Sequence, residues 1–468
     1  MPTPLTVTIL AAGLGTRMKS RQAKVLHRAG GKPLIEHVVE TALALAPPER
    51  VFVVVGHRAD DVRHALEGRG VQFLEQTEQK GTGHAVMVGR DALADLGGQL
   101  MILYGDCPLL RIETLRRLIA TADAAPAESA GALLSARMDD PTGYGRVIRD
   151  QAGYACAVVE QKAGTPQQLA LREANMGIYC LRADLFWNHV AELRTDNPAG
   201  EYYLTDMVGI LYRAGHPVHA MEIADAREAL GINTRLELAE VDAIFRQRKR
   251  QELMLAGVTI ESPASVAIDV DVRIGIDTVI EPCARILGRT VIGEDCRIGA
   301  GAVIRDCELG NGVEIRPYSV MEQSRLDEGA EVGPFGRLRP GAHMEAHSHI
   351  GNFVELKNTR LGPGSKANHL AYLGDSQIGA RVNVGAGTIT CNYDGFRKHP
   401  TRIGDGAFVG SNSTLVAPLE VGDGAYIGAG SVITDPVPAD ALVLGRARQV
   451  IKEDWARKRR ALGKARTP

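Results

Sequence analysis

The chain has 468 residues, more than one hydrophobic core usually organises, so two or three domains are expected, each burying its own core. A formal net charge of −2 leaves no broad basic field for nucleic acid, although a basic cluster gathers at Arg457–Arg460, Lys464 and Arg466. The seven cysteines form no CxxC pair, Met1–Leu10 lacks the basic and long apolar segments of a secretory leader, and apolar runs stay short; a cytoplasmic protein without a membrane span is expected.

In chain order, Thr6–Leu10, Val51–Val55, Gln72–Leu74 and Leu100–Tyr104 read as strands, separated by helical patterns such as Leu34–Leu45. This alternation predicts a Rossmann-like α/β sheet over residues 1–235. The first strand runs into Ala11-Ala12-Gly13-Leu14-Gly15-Thr16-Arg17-Met18, small residues that let backbone N–H groups approach a phosphate, with Arg17 and Lys24 to add charge. No GK[ST] closes it as a Walker loop, and Met18 stands at the third glycine position of a dinucleotide fingerprint. By itself the segment fits a phosphate cradle or a plain βα turn. Asp106, ending the fourth strand, fits a Mg²⁺ ligand or an ordinary turn former.

Residues Arg235–Ala256 carry Leu238, Val241 and Phe245 at helical spacing among charges, which predicts a connecting helix, with 236–256 as linker. Beyond it an aliphatic residue returns every six positions, at Ile268, Ile274, Ile280, Ile286, Ile292, Ile298 and Ile304. A second run in the same phase spans Ile403, Val409, Leu415, Val421, Ile427 and Ile433, with less regular turns at Leu326, Val332 and Leu338 between. A period of six predicts a β-helix over 257–468, in which three hexads close one triangular coil. The expected architecture is therefore an α/β sheet domain joined by a long helix to a left-handed parallel β-helix of hexapeptide repeats. The segment Cys391–Pro400 breaks the frame as an added loop. The histidines His343, His347 and His349 lack zinc-site spacing, and His57 reads as structural.

The strings LAAGLGTRM, QTEQKGTGHA and YGD, with Lys24 between, resemble the nucleotide-binding strip of sugar-nucleotide pyrophosphorylases. From Val7 to Trp455 the chain is similar to the bifunctional GlmU family. That resemblance implies that Leu10, Ala11, Ala12, Gly13, Gln76, Gly81, Thr82, Tyr104 and Gly105 contact a nucleotide whose phosphates face Arg17 and Lys24. It also implies that Asp106 and Asn233 hold Mg²⁺, and that Gly145, Glu160 and Asn175 touch a sugar. Many relatives place proline before the lysine, where this chain has Ala23, which leaves Lys24 less rigidly set. The implied reaction is attack by the phosphate oxygen of N-acetylglucosamine 1-phosphate on the α-phosphorus of UTP, releasing pyrophosphate. It needs charge neutralisation more than a nucleophile.

For the β-helix the resemblance implies an acetyltransferase. His369 would take a proton from the amine of glucosamine 1-phosphate as it attacks acetyl-CoA, with Glu355 orienting the imidazole. Arg337 and Lys357 would face the sugar phosphate, Tyr372 and Asn383 the sugar, and Lys398 would complete the catalytic pocket. Ala386, Asn392, Tyr393, Ser411, Ala429 and Arg446 would lie on the acetyl-CoA side, Asn392 also reaching the sugar. Direct transfer makes Cys391 unnecessary as a nucleophile. The tail around Lys452, Trp455 and Arg457–Arg460 would hold CoA from a neighbouring subunit of a homotrimer, with solvated residues after Arg460. The rival readings are a monofunctional pyrophosphorylase with a structural β-helix and a non-catalytic scaffold of the same domain order.

Overall fold

Nine strands build the first sheet: β1 (Leu5–Leu10), β2 (Val51–Val55), β3 (Gln72–Glu75), β4 (Gln99–Tyr104), β5 (Gly131–Arg137), β6 (Gly145–Arg149), β7 (Ala155–Val159), β8 (Glu173–Arg182) and β9 (Val218–Ile223). In the computed structural model, which describes residues 3–464, they lie in the order β3-β2-β1-β4-β8-β5-β9-β7-β6. The first four are parallel, and β8 runs antiparallel to both β4 and β5. Helices cover both faces. Val7, Ile9, Val51 and Val53 pack into one core and Leu10, Val54, Leu100 and Ile102 into the other, which explains the unbroken apolar runs of these strands. Leu10 and Tyr104 end β1 and β4 side by side, so the loops that follow share one crevice at the carboxyl edge of the sheet.

Residues Arg235–Leu255 form one helix. Leu238, Val241, Ile244 and Phe245 pack with Met18 and Leu34, whereas Leu253 belongs to the β-helix core. The chain divides into two units at Arg248/Lys249, inside the helix.

The second unit winds strands of two to four residues into three parallel sheets of eleven, ten and nine strands, here the first, second and third sheets. Ile268 pairs in register with Ile286 and Ile286 with Ile304; Ile274 pairs with Ile292, and Ile280 with Ile298. Residues six apart therefore sit on different sheets, and residues three hexads apart stack. Ile268, Ile280, Ile286, Ile298 and Ile304 are fully buried in this column. The irregular middle keeps the same order, since Ile298 pairs onward with Ile315, Ile315 with Val332 and Val332 with Ile350. The 391–400 insertion leaves the stack intact, because Ser376–Ile378 still pairs with Thr401–Ile403.

No described helix is long and apolar enough to cross a membrane. All seven cysteines are unpaired. Trp455–Lys464 is helical, with Arg457–Arg460 exposed on it; Arg466 and the side chain of Lys464 lie outside the described residues.

Candidate active sites

A cavity of about 450 Å³ opens at the ends of β1 and β4, lined by Leu10–Gly13, Lys24, Gln76, Gly81, Thr82, Tyr104, Asp106 and Asn233, among others. These are the residues singled out by sequence, drawn together from five loops. Gly15 is required beside them: it has φ +61°, and a Cβ there would lie 2.7 Å from Lys24 Cβ. Ala23 adopts φ −57°, the value proline would impose. Arg17 stands exposed on the Thr16–Met18 turn and does not line the cavity.

The Lys24 ammonium contacts Asp106 Oδ2 and donates to Asn233 Oδ1 at 3.2 Å. Asn233 is held in turn by the Glu237 carboxylate, which accepts from the Asn233 and Thr234 amides at 2.6 and 2.7 Å. A carboxylate and an amide oxygen thus converge on one cation, and such hard oxygen donors suit Mg²⁺. Beside them the buried Cys107 thiol is pushed well above its ordinary range by burial and by the Asp106 charge, which leaves it inert.

At the far side Gln76, buried after β3, donates from Nε2 to the Gly81 carbonyl at 3.2 Å and to His84 Nδ1 at 3.0 Å. The sequence reading passed over His84, although it stands inside QTEQKGTGHA.

Gly145, Glu160 and Asn175 form a separate group adjoining Tyr104. Gly145 and Asn175 are cross-strand partners, and Asn175 Nδ2 donates to Tyr179 Oη at 2.8 Å. Glu160 accepts from Thr205 Oγ1 at 2.9 Å, and burial raises its carboxyl above the usual range.

In the β-helix, Arg337, Glu355 and Tyr372 lie in register on successive coils of the second sheet. Lys357 Nζ donates to Asp375 Oδ2 at 3.1 Å, Asn392 Nδ2 to the same oxygen at 2.5 Å, and Asn358 Nδ2 to Oδ1 at 2.8 Å. Burial would raise the Asp375 carboxyl, but these three donors hold it below its ordinary range. Asp375 was missed by sequence reasoning. Lys398, on the insertion, approaches Lys357, whose charge holds the Lys398 ammonium below the usual lysine range. Asp375, Lys398 and Asn358 line a cavity of about 400 Å³ with His399. The insertion is ordered from within: Asp394 accepts from the Phe396 and Arg397 amides and from His399, which lowers its carboxyl to about 2.

Glu355 accepts from Arg339 Nη1 at 3.0 Å, and among the described residues no hydrogen bond joins it to His369. His369 and Asn383 do not share a sheet with Arg337, Lys357 and Tyr372. They sit on the first sheet, paired with Asn352 and Lys366, so one chain holds the expected residues as two groups. His369 is exposed at the corner between the first and second sheets. Ala386, Ser411 and Ala429 continue up that corner on successive coils, where the Asn412 amide donates to Ala386 and the Gly430 amide to Ser411. Arg446 lies beside Gly430, and Tyr393 is exposed on the insertion. Below His369 the same corner carries Tyr318, Phe335 and Phe353, stacked at 5.4 Å, then Leu370. His343 bonds Asp327 on the third sheet while His349 lies on the first, so the histidine cluster does not converge.

Residues 7–174 match the MobA-like NTP transferase domain, and residues 271–306 and 400–435 match the bacterial transferase hexapeptide (six repeats). The chain is 66% identical over 464 residues to the bifunctional protein GlmU of Solibacter usitatus, covering 99% of each. The chain belongs to the bifunctional GlmU family. It is 51% identical to GlmU of Koribacter versatilis, covering 97% of each chain, and 47% identical to that of Brevibacillus brevis, covering 97% of this chain and 98% of the other. GlmU membership makes it a bifunctional transferase: a nucleotidyltransferase domain followed by a left-handed β-helix of the acetyltransferase type. The monofunctional and scaffold readings fall away.

Proposed function

We propose that the two sites make UDP-N-acetylglucosamine in sequence. The β-helix transfers acetyl from acetyl-CoA to glucosamine 1-phosphate, and the first unit then joins N-acetylglucosamine 1-phosphate to UTP with loss of pyrophosphate. The observation that carries the uridylyl half is the convergence of Asp106 and Asn233 oxygens on the Lys24 ammonium in the cavity at the ends of β1 and β4. Asp106 and Asn233 would hold Mg²⁺, which when bound supplies charge neutralisation at the phosphates. Lys24, and Arg17 from its exposed turn, add positive charge where two anions meet. Gln76 and Gly81 face the base, and Gly145, Glu160 and Asn175 the sugar.

In the acetyl half His369 accepts the amine proton as nitrogen bonds to the thioester carbonyl and CoA sulfur leaves. Lys357, Lys398 and Arg337 offer charge to the sugar phosphate, and Tyr372, Asn383 and Asn392 orient the sugar. The Ala386–Ser411–Ala429 edge, small along its length, suits the extended arm of acetyl-CoA, with Tyr393 and Arg446 at its sides. Glu355, held within its own chain by Arg339, orients the His369 imidazole.

The exposed ladder Tyr318, Phe335 and Phe353 supports cover by another copy, and the division of the expected residues between two sheets supports a homotrimer whose sites complete one another. The unpaired cysteines support a cytoplasmic site of action.

The test is product identification. Protein with glucosamine 1-phosphate, acetyl-CoA, UTP and Mg²⁺ yields UDP-N-acetylglucosamine by mass spectrometry; omission of acetyl-CoA stops it, and N-acetylglucosamine 1-phosphate restores it. UDP-glucosamine as product without acetyl-CoA would refute the order.

A further inference from the structure

We propose that His84 is a positioning residue that fixes the amide of Gln76 and thereby makes the nucleotide site select uracil over cytosine. The inference rests on the uridylyltransferase reading above and adds to it the residue and atoms that enforce the base choice.

Gln76 is 3% exposed and lines the cavity, its side chain set between two acceptors. One is the Gly81 carbonyl, 3.2 Å from Nε2. Gly81 has φ +104°, and a Cβ on it would lie 2.6 Å from the Tyr202 carbonyl oxygen, so this peptide is locked by close approach of another segment. The Tyr202 amide donates to Lys80, and the Gly83 amide donates back to Tyr202, both at 2.8 Å. The second acceptor is His84 Nδ1, 3.0 Å from the same Nε2, its ring stacked on Tyr202 with centroids 6.2 Å apart.

A primary amide has two N–H donors, and both are engaged. The amide cannot turn over without setting its oxygen against the Gly81 carbonyl and its nitrogen away from both acceptors. Gln76 Oε1 is therefore what the base meets, and among the described residues no protein group donates to it. It can accept from a base and cannot donate. Uracil presents N3–H, a donor between two carbonyl acceptors; cytosine presents a lone pair at N3, which this oxygen repels. His84 contributes by offering a lone pair at Nδ1, its own proton lying on Nε2. Without it one bond to Gly81 remains, the amide samples both orientations, and discrimination falls by the worth of about one hydrogen bond.

The experiment compares kcat/KM for UTP and CTP, each with N-acetylglucosamine 1-phosphate, in wild type, His84→Leu and His84→Asn, with melting curves to establish folding. The Asn side-chain oxygen can stand where Nδ1 stands and accept the same bond. Wild type prefers UTP; His84→Leu loses about fivefold to tenfold of that preference; His84→Asn recovers most of it. His84→Ala replaces the leucine variant if that one does not fold. A wild type that uses the two nucleotides equally, or neither, overturns the underlying reading of the site. A wild type that prefers UTP, with a leucine or alanine variant of unchanged preference or an asparagine variant no better than leucine, overturns the role of His84 alone.

Discussion

The Lys24 ammonium rests against the Asp106 carboxylate, 82 residues away in sequence, at the point where the loops after β1 and β4 meet. Both side chains are about 15% exposed, so each charge depends on the other for solvation lost to the protein. Lys24→Ala removes the cation and leaves Asp106 and Asn233 in place. Uridylyl transfer should fall by about a hundredfold or more in kcat, the scale of losing one preorganised charge at a reacting phosphate. Steady-state pyrophosphate release measures it, and CoA release by the same variant should be unchanged.

Chelation should separate the halves in the same way. Asp106 and Asn233 offer oxygen donors, whereas the Lys357–Asp375–Asn392 cluster carries its own cation in Lys357. EDTA should abolish pyrophosphate release and spare CoA release; loss of both activities would place a metal requirement in the β-helix as well.

Asp375 gathers Lys357, Asn358 and Asn392 and holds its carboxyl below the ordinary range. A depressed folded-state pKa adds stability that is fully present above the unfolded value, about 3.9, and is lost as pH falls through the lower folded value. Asp375→Asn should therefore be less stable than wild type at neutral pH, with the gap closing below about pH 4. The same change leaves Lys357 and Lys398 without their shared counter-charge, and KM for glucosamine 1-phosphate should shift by more than kcat. Melting temperature against pH, and the two kinetic constants at neutral pH, read these effects.

The β-helix core is a column in which Ile286 stacks between Ile268 and Ile304, wholly buried. Ile286→Ala should cost about 2–5 kcal/mol, because coils above and below fix the cavity walls. Chemical denaturation of the purified protein checks it.

Phe335 stacks between Tyr318 and Phe353 on an exposed corner. Phe335→Ser combined with Phe353→Ser should release monomer in sedimentation analysis and depress CoA release. A monomeric wild type would remove the reason given for the ladder.

Much of this was legible in the sequence because its signals are local. Ile268 through Ile304 recur every six residues because each strand is short and each corner takes one turn, so the repeat displays the coil directly. Likewise LAAGLGTRM and YGD follow β1 and β4 immediately, and their meeting follows from parallel pairing. Asp375 was hidden in an ordinary Gly-Asp-Ser. Its partners Lys357 and Asn392 lie 18 and 17 residues away, one coil below and one above. Arg339 lies 16 residues before Glu355, again one coil. Charged residues one coil apart are the signal that finds such pairs. The Gln76–His84 bond depends on how the 80–83 segment is clamped against Tyr202, which no local pattern announces.

Whether one chain carries two independent transferase sites is tested by assaying pyrophosphate release and CoA release in Asp106→Ala and His369→Ala proteins. Asp106→Ala should lose the first activity and keep the second, and His369→Ala should do the reverse. Loss of both activities in either variant, or CoA release that survives in His369→Ala, would contradict two independent sites.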